Sequence, residues 1–357
     1  MKYAKLEDCC EILDSKRIPV TANKRRNGKY PYYGANGLQD YVDDYIFDDE
    51  LVLLAEDGGN FNSKEKPIAY RVSGKCWVNN HAHVLKPKQG INVDYLCYAL
   101  MYYDVSGLVN GATRQKLTQA TMRKMKIPVL SEIDQLKIVE IIGSIQDLKD
   151  NYCSILCKAD ELVKARFVEM FGDSVNNDKE WIRDSVERLC KEIYGGGTPS
   201  KSHPEYYEDG EIPWITSKDM KTDILIDSQI HINEDGVSNS TARIVPKNSV
   251  IMVIRSGILK HTLPVAINAV PITVNQDLKV FIPGNRIVTN FLAYQFKMME
   301  REILSGVRAV TADNIEFDAL KRRELIVPPI ELQQQFADFV QQVDKSKYDD
   351  IRVEYKC

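Results

Sequence analysis

The sequence predicts an α+β protein in which two mixed α/β domains repeat one another and long helices separate them. Three observations predict this fold class. The chain has 357 residues, whereas a single core usually stops growing at ~250 to 300 residues. The second half repeats the pattern of the first half, and a heptad-spaced helical segment lies between the two halves.

The internal repeat is weak by identity but keeps an ordered register. Its longest stretch holds a constant offset of 196, over the matches of Val78, Asn79, Val84, Pro87, Leu96 and Tyr98 to Val274, Asn275, Val280, Pro283, Leu292 and Tyr294. Further matches at offsets from 180 to 200 are Glu7 and Cys10 with Glu187 and Cys190, Pro31 with Pro213, Gly58 with Gly257, and Pro128 and Gln135 with Pro328 and Gln335. We therefore predict one globular domain followed by one helix in each half.

Each half contains one run typical of a buried strand and one run typical of a helix. Leu51 to Ala55 and Val250 to Ile254 are short aliphatic runs that end near a glycine, as buried strands do. Tyr95 to Met101 and Phe291 to Met298 have helical character. Because strands and helices mix within each half, the two domains are predicted to be of mixed α/β type.

The segment from Glu132 to Met170 predicts one helix of roughly 58 Å at ~1.5 Å per residue. Apolar residues follow a heptad seam at Ile138, Ile141, Ile145, Leu148, Tyr152, Ile155, Ala159 and Leu162. A stripe of this kind also serves to cover one domain's core, but a spacer is favoured because both halves place a helix at the same point. The predicted organisation is a domain at 1–130, a central helix at 131–171, a second domain at 172–328 and a C-terminal helix at 329–357.

Composition narrows the class of protein. Apolar residues make up 44% of the chain and charged residues 27%, and no apolar run approaches the ~18 residues of a membrane span. The N-terminus lacks the apolar core of a signal peptide, and the eight cysteines show neither zinc-site spacing nor a dense disulfide framework. We expect a reduced, cytoplasmic protein without a membrane partner. The net charge is −4, yet basic residues concentrate at 16–29 and 114–126.

Several short motifs, taken together, resemble one known family. They are Tyr30-Pro31-Tyr32-Tyr33-Gly34-Ala35-Asn36-Gly37 and Glu56-Asp57-Gly58-Gly59-Asn60 in the first half, and Gly196-Gly197-Thr198-Pro199 and Ile212-Pro213-Trp214-Ile215 in the second. The helix openings, Ile127-Pro128-Val129 through Gln135 and Val327-Pro328-Pro329 through Gln335, belong to the same pattern. Across essentially the whole chain this combination resembles the specificity subunits of type I restriction-modification systems.

The resemblance implies a function, partners and a helix arrangement. Each globular half would be a target-recognition domain that reads one part of a bipartite DNA target, and the two helices would form an antiparallel coiled coil. The implied partners are double-stranded DNA, two methyltransferase subunits, and endonuclease/translocase subunits. This chain would bind no cofactor, while S-adenosylmethionine, ATP and Mg would belong to the partner subunits. Pro328 to Cys357 spans 29 positions where Pro128 to Gly172 spans 44, so the second helix is about 15 residues shorter than the first.

Candidate DNA contacts follow from residue chemistry. Lys and Arg neutralise phosphates and release counterions, whereas Asn, Gln and Arg read base edges with paired donors and acceptors. The candidates are Lys24, Arg25, Arg26, Lys29, Asn36, Asn60, Asn80, Arg114, Lys116, Gly197, Thr198, Lys201, Lys218, Arg255, Lys260, Gln276 and Arg308. A basic run such as 16–29 is also commonly just a solvated loop.

Other features favour structural roles. Asn79 and Asn275 occupy equivalent places, and two domains that read different sequences would not share a reading residue, so we interpret both as turn residues. His81 and His83 lack a third metal ligand of matching spacing, and no catalytic residue is assigned because nuclease, methyltransferase and Walker motifs are absent. Two alternatives stay open: a single-chain methyltransferase or nuclease with an unrecognised motif, and a scaffold that grips two identical protein partners.

Overall fold

The computed structural model describes residues 2–111, 114–306, 308–309 and 313–354, and for 308, 309, 313 and 347–354 it describes only the backbone. Two units are distinguished by their internal packing, Met1–Asn151 (unit 1) and Tyr152–Cys357 (unit 2). The division falls inside the segment that the sequence assigns to the central helix. Residues 355–357 of the predicted C-terminal helix lie outside the described part.

A six-stranded mixed sheet forms the centre of unit 1. The strands of this unit are β1 (Lys2–Lys5), β2 (Cys10–Ile12), β3 (Asn27–Gly34), β4 (Gly37–Val42), β5 (Phe47–Ala55), β6 (Ala69–Val78), β7 (Ala82–Pro87) and β8 (Lys126–Val129). The sheet order is β2-β7-β5-β6-β3-β4, with β3 and β6 parallel. A separate antiparallel pair, β1 with β8, brings the start of the chain to the strand before the long helix.

The sheet of unit 1 is apolar on both faces. Residues 51–55 of β5 are fully buried, and side chains alternate between the two faces of a strand. Val52 and Leu54 pack in the cluster that contains Leu96, whereas Leu51 and Leu53 belong to a cluster on the other side. Each such aliphatic side chain contributes about 1.5–3 kcal/mol when it is fully buried. The helices are α1 (Leu6–Cys9), α2 (Val93–Met101), α3 (Gln119–Arg123) and α4 (Glu132–Phe171), which continues into unit 2.

Unit 2 repeats this plan with a divided sheet. Its strands are β9 (Arg183–Ser185), β10 (Cys190–Gly195), β11 (Ile212–Ile215), β12 (Ile224–Leu225), β13 (His231–Ile232), β14 (Val250–Val253), β15 (Val265–Asn268), β16 (Thr273–Val274), β17 (Leu278–Pro283), β18 (Arg308–Ala309), β19 (Asp313–Asn314) and β20 (Glu324–Ile326). One sheet has the order β10-β17-β14-β15-β12 and a second the order β13-β11-β16. The break between β15 and β16 contains Pro271, which has no N–H for a sheet ladder.

The helices of unit 2 cover this divided sheet. They are α5 (Val186–Leu189), α6 (Glu234–Ser238), α7 (Thr289–Met298), α8 (Glu300–Ser305), α9 (Phe317–Arg322) and α10 (Ile330–Glu354). Phe291, Phe296 and Tyr294 on α7 are buried in the main core of the unit. No helix in the described part of the chain combines the length and the apolar character that a membrane span requires.

Backbone hydrogen bonds confirm the internal repeat residue by residue. The amide of Asn79 donates to the carbonyl of Tyr33 at 3.0 Å, and the amide of Asn275 donates to that of Ile215 at 3.0 Å. These bonds reproduce the offsets of 196 and 182. The offset of 180 recurs where Leu6 donates to Met125 and Val186 donates to Arg323. The match of Gly58 with Gly257 is wrong by one position, because the amides of residues 57 and 255 bond equivalent carbonyls, those of His81 and Asp277.

A buried glutamine fixes the start of α4 to the body of unit 1. Gln135 Oε1 accepts from the amide of Asn92 at 2.8 Å, and Nε2 donates to the carbonyls of Gly90 at 2.9 Å and Leu130 at 3.1 Å. Asn92 is also the N-cap of α2. The long helix and the shorter helix are therefore tied to one another through a single side chain.

Unit 2 uses the same device at the start of α10. Gln333 Oε1 accepts from the amide of Val288 at 2.9 Å, and Nε2 donates to the carbonyls of Pro328 at 2.8 Å and Arg286 at 3.2 Å. The sequence match of Gln135 with Gln335 is therefore wrong by two positions. The two helix openings align at an offset of 198 rather than 200.

Most of the predicted heptad seam of α4 is not packed. Ile141, Ile145, Leu148, Ile155 and Leu162 are between 52% and 60% exposed. The idea that the stripe covers one domain's core is therefore wrong for this part of the helix.

The last turns of α4 do pack, and they pack against α10 in unit 2. The Phe167 and Phe171 rings lie 5.4 Å and 5.7 Å from the Phe336 ring, and the Arg166 guanidinium lies 5.8 Å from the Phe339 ring. Contacts move backwards along α4 as they move forwards along α10, so the helices run antiparallel where they meet. Within unit 2, this aromatic cluster agrees with the predicted antiparallel pairing of the two helices.

We predict that Gln333→Ala destabilises unit 2 by about 3 kcal/mol, because two carbonyls and one amide lose their buried partner. Urea denaturation followed by the fluorescence of Trp181 and Trp214 measures the change. The matched control is Gln334→Ala on the next residue, which is exposed and, in the described part of the chain, donates to Asp338 on its own helix. That variant should stay within about 0.5 kcal/mol. Equal urea denaturation midpoints for the two variants would contradict the conclusion that Gln333 fixes the start of α10.

Candidate nucleic-acid interface

Four loops of unit 1 meet at one end of its sheet. Asn36 in the β3–β4 turn donates to the carbonyl of Gly58 at 3.0 Å. Arg114 Nη2 lies 2.9 Å from Asp57 Oδ1, and the backbones of Asp57 and Lys116 form an isolated bridge. The structure thus brings together three predicted contacts, Asn36, Arg114 and Lys116.

Asn60 and Asn80 lie on the same loops. Asn60 Nδ2 donates to the carbonyl of Pro67 at 3.3 Å, which gives this side chain a local structural partner. Asn80 is exposed beside buried Asn79. Asn79 Oδ1 accepts from the amide of His81 at 2.8 Å, so the geometry supports its interpretation as a turn residue.

A buried charge network supports this end of the sheet. His83 Nδ1 lies 2.6 Å from Asp14 Oδ2, and His83 Nε2 lies 2.9 Å from the carbonyl of Leu117. Gln119 donates to Asp14 Oδ2 at 2.8 Å. Burial alone raises the pKa of Asp14, but hydrogen bonds from His83, the Val84 amide and Gln119, with the charge of His83, hold that pKa below its ordinary value.

The same network fixes the loop that carries Arg114 and Lys116. Arg17 Nη1 lies 2.6 Å from Glu56 Oε2, and Lys116 Nζ lies 2.9 Å from Glu56 Oε1. Asp14, Glu56 and His83 lie within 4.8 Å of one another in the arrangement of a cation site. Arg17 and Lys116 already supply positive charge there. We therefore interpret the cluster as an internally neutralised ion network, and His83 as a buried packing histidine.

The basic segment Lys24–Lys29 lies at the other end of β3. Gly28 and Gly34 are six positions apart on this strand, so the segment stands about 20 Å from the converging loops at ~3.3 Å per residue. Lys24, Arg26 and Lys29 are on the surface. Arg25 is held within the unit, because its guanidinium lies 3.2 Å from Asp40 Oδ2 and 4.1 Å from the Tyr32 ring.

In unit 2, the equivalent turn gathers three predicted contacts. Within the turn at 275–277, Asp277 pairs with Arg255, and Gln276 accepts a hydrogen bond from Thr198. The backbone of Arg255 bridges that of Asn314. Arg308 pairs with Asn314 through its backbone, but its side chain lies outside the described residues.

The remaining candidates of unit 2 are placed differently. Lys201, Lys218 and Lys260 are exposed on separate loops. Gly197 is buried, and a side chain there would collide with the backbone of Thr241. Its carbonyl also accepts from Trp214 Nε1 at 3.0 Å. The structure thus gives the glycine a packing reason rather than an open phosphate cradle.

Sequence reasoning missed a basic cluster beside Arg255. Lys279 Nζ and Lys321 Nζ each lie 4.5 Å from the Phe317 ring. Burial lowers the pKa of Lys279, and the nearby charges of Lys321 and Arg255 lower it further. Three basic groups thus lie near one another at this site, and Arg255 and Lys321 also have carboxylate partners in Asp277 and Asp318. The signal in the sequence was a lysine in the middle of an otherwise buried strand.

Lys279 occupies the place that His83 has in unit 1. His83 is the partner of Leu54 in the β5–β7 ladder, and Lys279 is the partner of Met252 in the β14–β17 ladder. Gly195 is the partner of Lys279 in the β10–β17 ladder, and a Cβ there would collide with the lysine Nζ. Unit 1 places a carboxylate against its histidine, whereas unit 2 has a glycine opposite its lysine.

Together these observations define a class of protein. Two units present different polar and basic side chains on one repeated backbone scaffold, as expected of a nucleic-acid-binding protein with two separate reading surfaces. The family described as type I restriction modification DNA specificity domain matches residues 1–151 and 186–352. The chain belongs to this family.

Individual relatives agree with the family match. The chain is 35% identical over 307 residues to the specificity subunit of the type I restriction enzyme EcoR124I/EcoR124II of Escherichia coli, a match that covers 84% of this chain and 72% of that protein. It is 26% identical over 345 residues to a putative type I restriction enzyme specificity subunit of Haemophilus influenzae, covering 93% and 85%.

A solved structure agrees with the fold. The type I restriction-modification S subunit from M. genitalium superposes with a TM-score of 0.62 at 12% identity, covering 99% of this chain and 91% of that one. The predicted α+β class with two mixed domains and long helices is confirmed. The chain is a DNA-recognition specificity subunit that works with other subunits of its system, and catalysis belongs to those subunits. The alternative of a single-chain enzyme finds no support.

We predict that Asp14→Ala destabilises unit 1 by about 3 kcal/mol, because it leaves His83 buried without its carboxylate. The lowered pKa of Asp14 means that its contribution is fully present above the ordinary Asp pKa of about 3.9. The contribution is lost as pH falls below that value. Urea denaturation at pH 7 and at successively lower pH measures the difference from the parent chain. Exposed Asp8→Ala is the control, and an equal loss in both variants would contradict the network.

Proposed function

We propose that the two units read the two parts of a bipartite DNA target, in a complex with two methyltransferase subunits and with endonuclease/translocase subunits. The target-recognition domains would be residues 1–130 and 172–328. The helices at 131–171 and 329–357 would join them. S-adenosylmethionine, ATP and Mg would be bound by the partner subunits, and the complex would act in the cytoplasm.

One observation carries this proposal: the same hydrogen-bond scaffold occurs twice and presents different side chains. Asn79 and Asn275 close the same turn in both units. Around that turn unit 1 presents Asn36 and Arg114, whereas unit 2 presents Arg255. A shared scaffold with different exposed groups suits two readers of different sequences, because base edges are distinguished by donor and acceptor pattern.

The proposed contacts divide by chemistry. Phosphate contacts would come from exposed or half-buried basic side chains, and base contacts from the side chains around the two turns. The residues proposed to contact phosphates are Lys24, Arg26, Lys29, Lys116, Lys201, Lys218, Lys260, Lys279 and Lys321. The residues proposed to contact bases are Asn36, Asn80, Arg114, Thr198, Arg255, Gln276 and Arg308. Arg25, Asn60 and Gly197 would support these surfaces from within.

The exposed seam of α4 supports the proposed assembly. An apolar stripe of five aliphatic residues along an exposed helix marks an interaction surface in a soluble protein. The methyltransferase subunits are the proposed occupants of this surface.

We predict that replacing Lys24, Arg26 and Lys29 together by Ala weakens binding to specific and random duplexes alike, since phosphate contacts carry no direct sequence information. The slope of log K against log salt should fall by about 0.9 for each phosphate that is no longer neutralised. The DNA affinity of the complex, measured across a salt series, gives this slope. Lys2, Lys5 and Lys126 on β1 and β8 provide a control triple that should leave the slope unchanged. An unchanged slope in the first triple would remove these residues from the interface.

We predict that α4 sets the distance between the two parts of the target. Deleting residues 147–153 removes one heptad, keeps the flanking seam in phase and shortens the helix by ~10 Å. That length corresponds to about three base pairs of B-DNA. Selection from randomised duplexes by the complex should recover a shorter spacer, or no binding, with the same half-site bases. Recovery of the original spacer at the original affinity would show that the helix does not set the distance.

A further inference from the structure

Arg255 is held by a carboxylate on the surface of unit 2. Its Nε and Nη2 both lie 2.6 Å from Asp277 Oδ1. Asp277 Oδ2 in turn accepts from Nδ2 of buried Asn275 at 3.1 Å. Asn275 is itself fixed through its amide, which donates to the carbonyl of Ile215. A continuous chain of hydrogen bonds therefore runs from a buried turn to an exposed guanidinium.

Among the residues that the structure describes, this arrangement leaves one edge of the guanidinium for a ligand. The group has five N–H donors in a planar fork, and Asp277 takes the donors on the Nε–Nη2 side. The opposite edge, formed by Nη1 and Nη2, belongs to a side chain that is 48% exposed. Two parallel donors on a fixed plane match the O6 and N7 acceptors that guanine presents in the major groove. Fixing the plane in advance reduces the entropy lost on binding.

The equivalent slot of unit 1 has the same backbone and a different charge. The amides of Asp57 and Arg255 donate to the carbonyls of His81 and Asp277, at 3.4 Å and 3.3 Å. Asp57 Oδ1 lies 2.5 Å from His81 Nδ1, so an acid stands where unit 2 has an arginine. A packing role would favour the same residue type in both units. A change of charge on an unchanged backbone is what reading different bases requires.

We propose that Arg255 reads a guanine in the half-site bound by unit 2, and that Asp277 is the positioning residue that aims it. The inference rests on the proposed function, because it assumes that unit 2 binds DNA in a sequence-specific manner. It adds one base identity, and it adds one residue, Asp277, that acts on DNA only through Arg255.

The test is selection from randomised duplexes by the full chain in complex with its methyltransferase subunits. The parent complex should require guanine at one position of one half-site. Arg255→Lys and Arg255→Ala should reduce the preference for guanine at that position by roughly 10- to 100-fold, and leave every other position unchanged. Asp277→Ala should reduce the same preference without changing the affinity for random duplex, and Asp277→Asn should restore part of it.

Arg286→Lys is the matched control. Arg286 and Asp184 form another exposed pair in unit 2, with the same 2.6 Å separation and a side-chain exposure of 50%. This pair lies beyond the far end of β17, and its replacement should leave the selected sequence intact.

The outcomes separate the two levels of the proposal. If the Arg255 variants weaken binding equally for every base while the parent selects a bipartite target, the arginine contacts phosphate and the inference is overturned. If Asp277→Ala leaves the guanine preference intact, the positioning role is overturned. If the parent complex selects no bipartite sequence at all, the proposed function itself fails.

Discussion

The constraint on which both reading surfaces depend is the hydrogen bond that joins two parallel strands at the end of each sheet. In unit 1 it runs from the amide of Asn79 to Tyr33, and in unit 2 from the amide of Asn275 to Ile215. The asparagine side chain then accepts the amide two residues later. Because the hydrogen bonds of the turn are made by the backbone and the asparagine side chain, the turn does not depend on the neighbouring side chains. The side chains that differ between the two units can therefore vary while the turn keeps the same backbone.

The two units handle buried charge in opposite ways on this common scaffold. Unit 1 places His83 against Asp14 and closes the charge within the protein. Unit 2 has Lys279 opposite Gly195, and its lowered pKa reflects burial together with repulsion from other cations. Removing one partner of a buried ion pair destabilises a protein more than replacing the whole pair by apolar residues. The scaffold therefore accommodates either a buried ion pair or a partly buried lysine.

The sequence is sufficient to predict the repeat, the long helix and the fold class, because periodicity and register survive low identity. It fails where a side chain outside the repeat decides the outcome. Gln335 and Gln333 lie in the same glutamine-rich turn, and only the bonds to Val288 and Pro328 identify Gln333 as the equivalent of Gln135. Arg25 has the composition of its basic neighbours, although an aromatic ring and an acid hold it. Sequence reasoning did not select Asp277, because the role proposed for it is to orient another residue.

The seam of α4 shows a limit of reasoning from periodicity alone. A heptad pattern states that a helix has an apolar partner, but it does not state which chain supplies that partner. Here Gln135 at the start of α4 and Val163, Phe167 and Phe171 near its end are buried, whereas five aliphatic residues of the seam stay exposed. Each would contribute about 1.5–3 kcal/mol on full burial, of which association costs consume a part. Such a surface is unfavourable in an isolated chain and useful in an assembly. Because it lies on the helix that joins the two units, a partner bound there would also stiffen that helix.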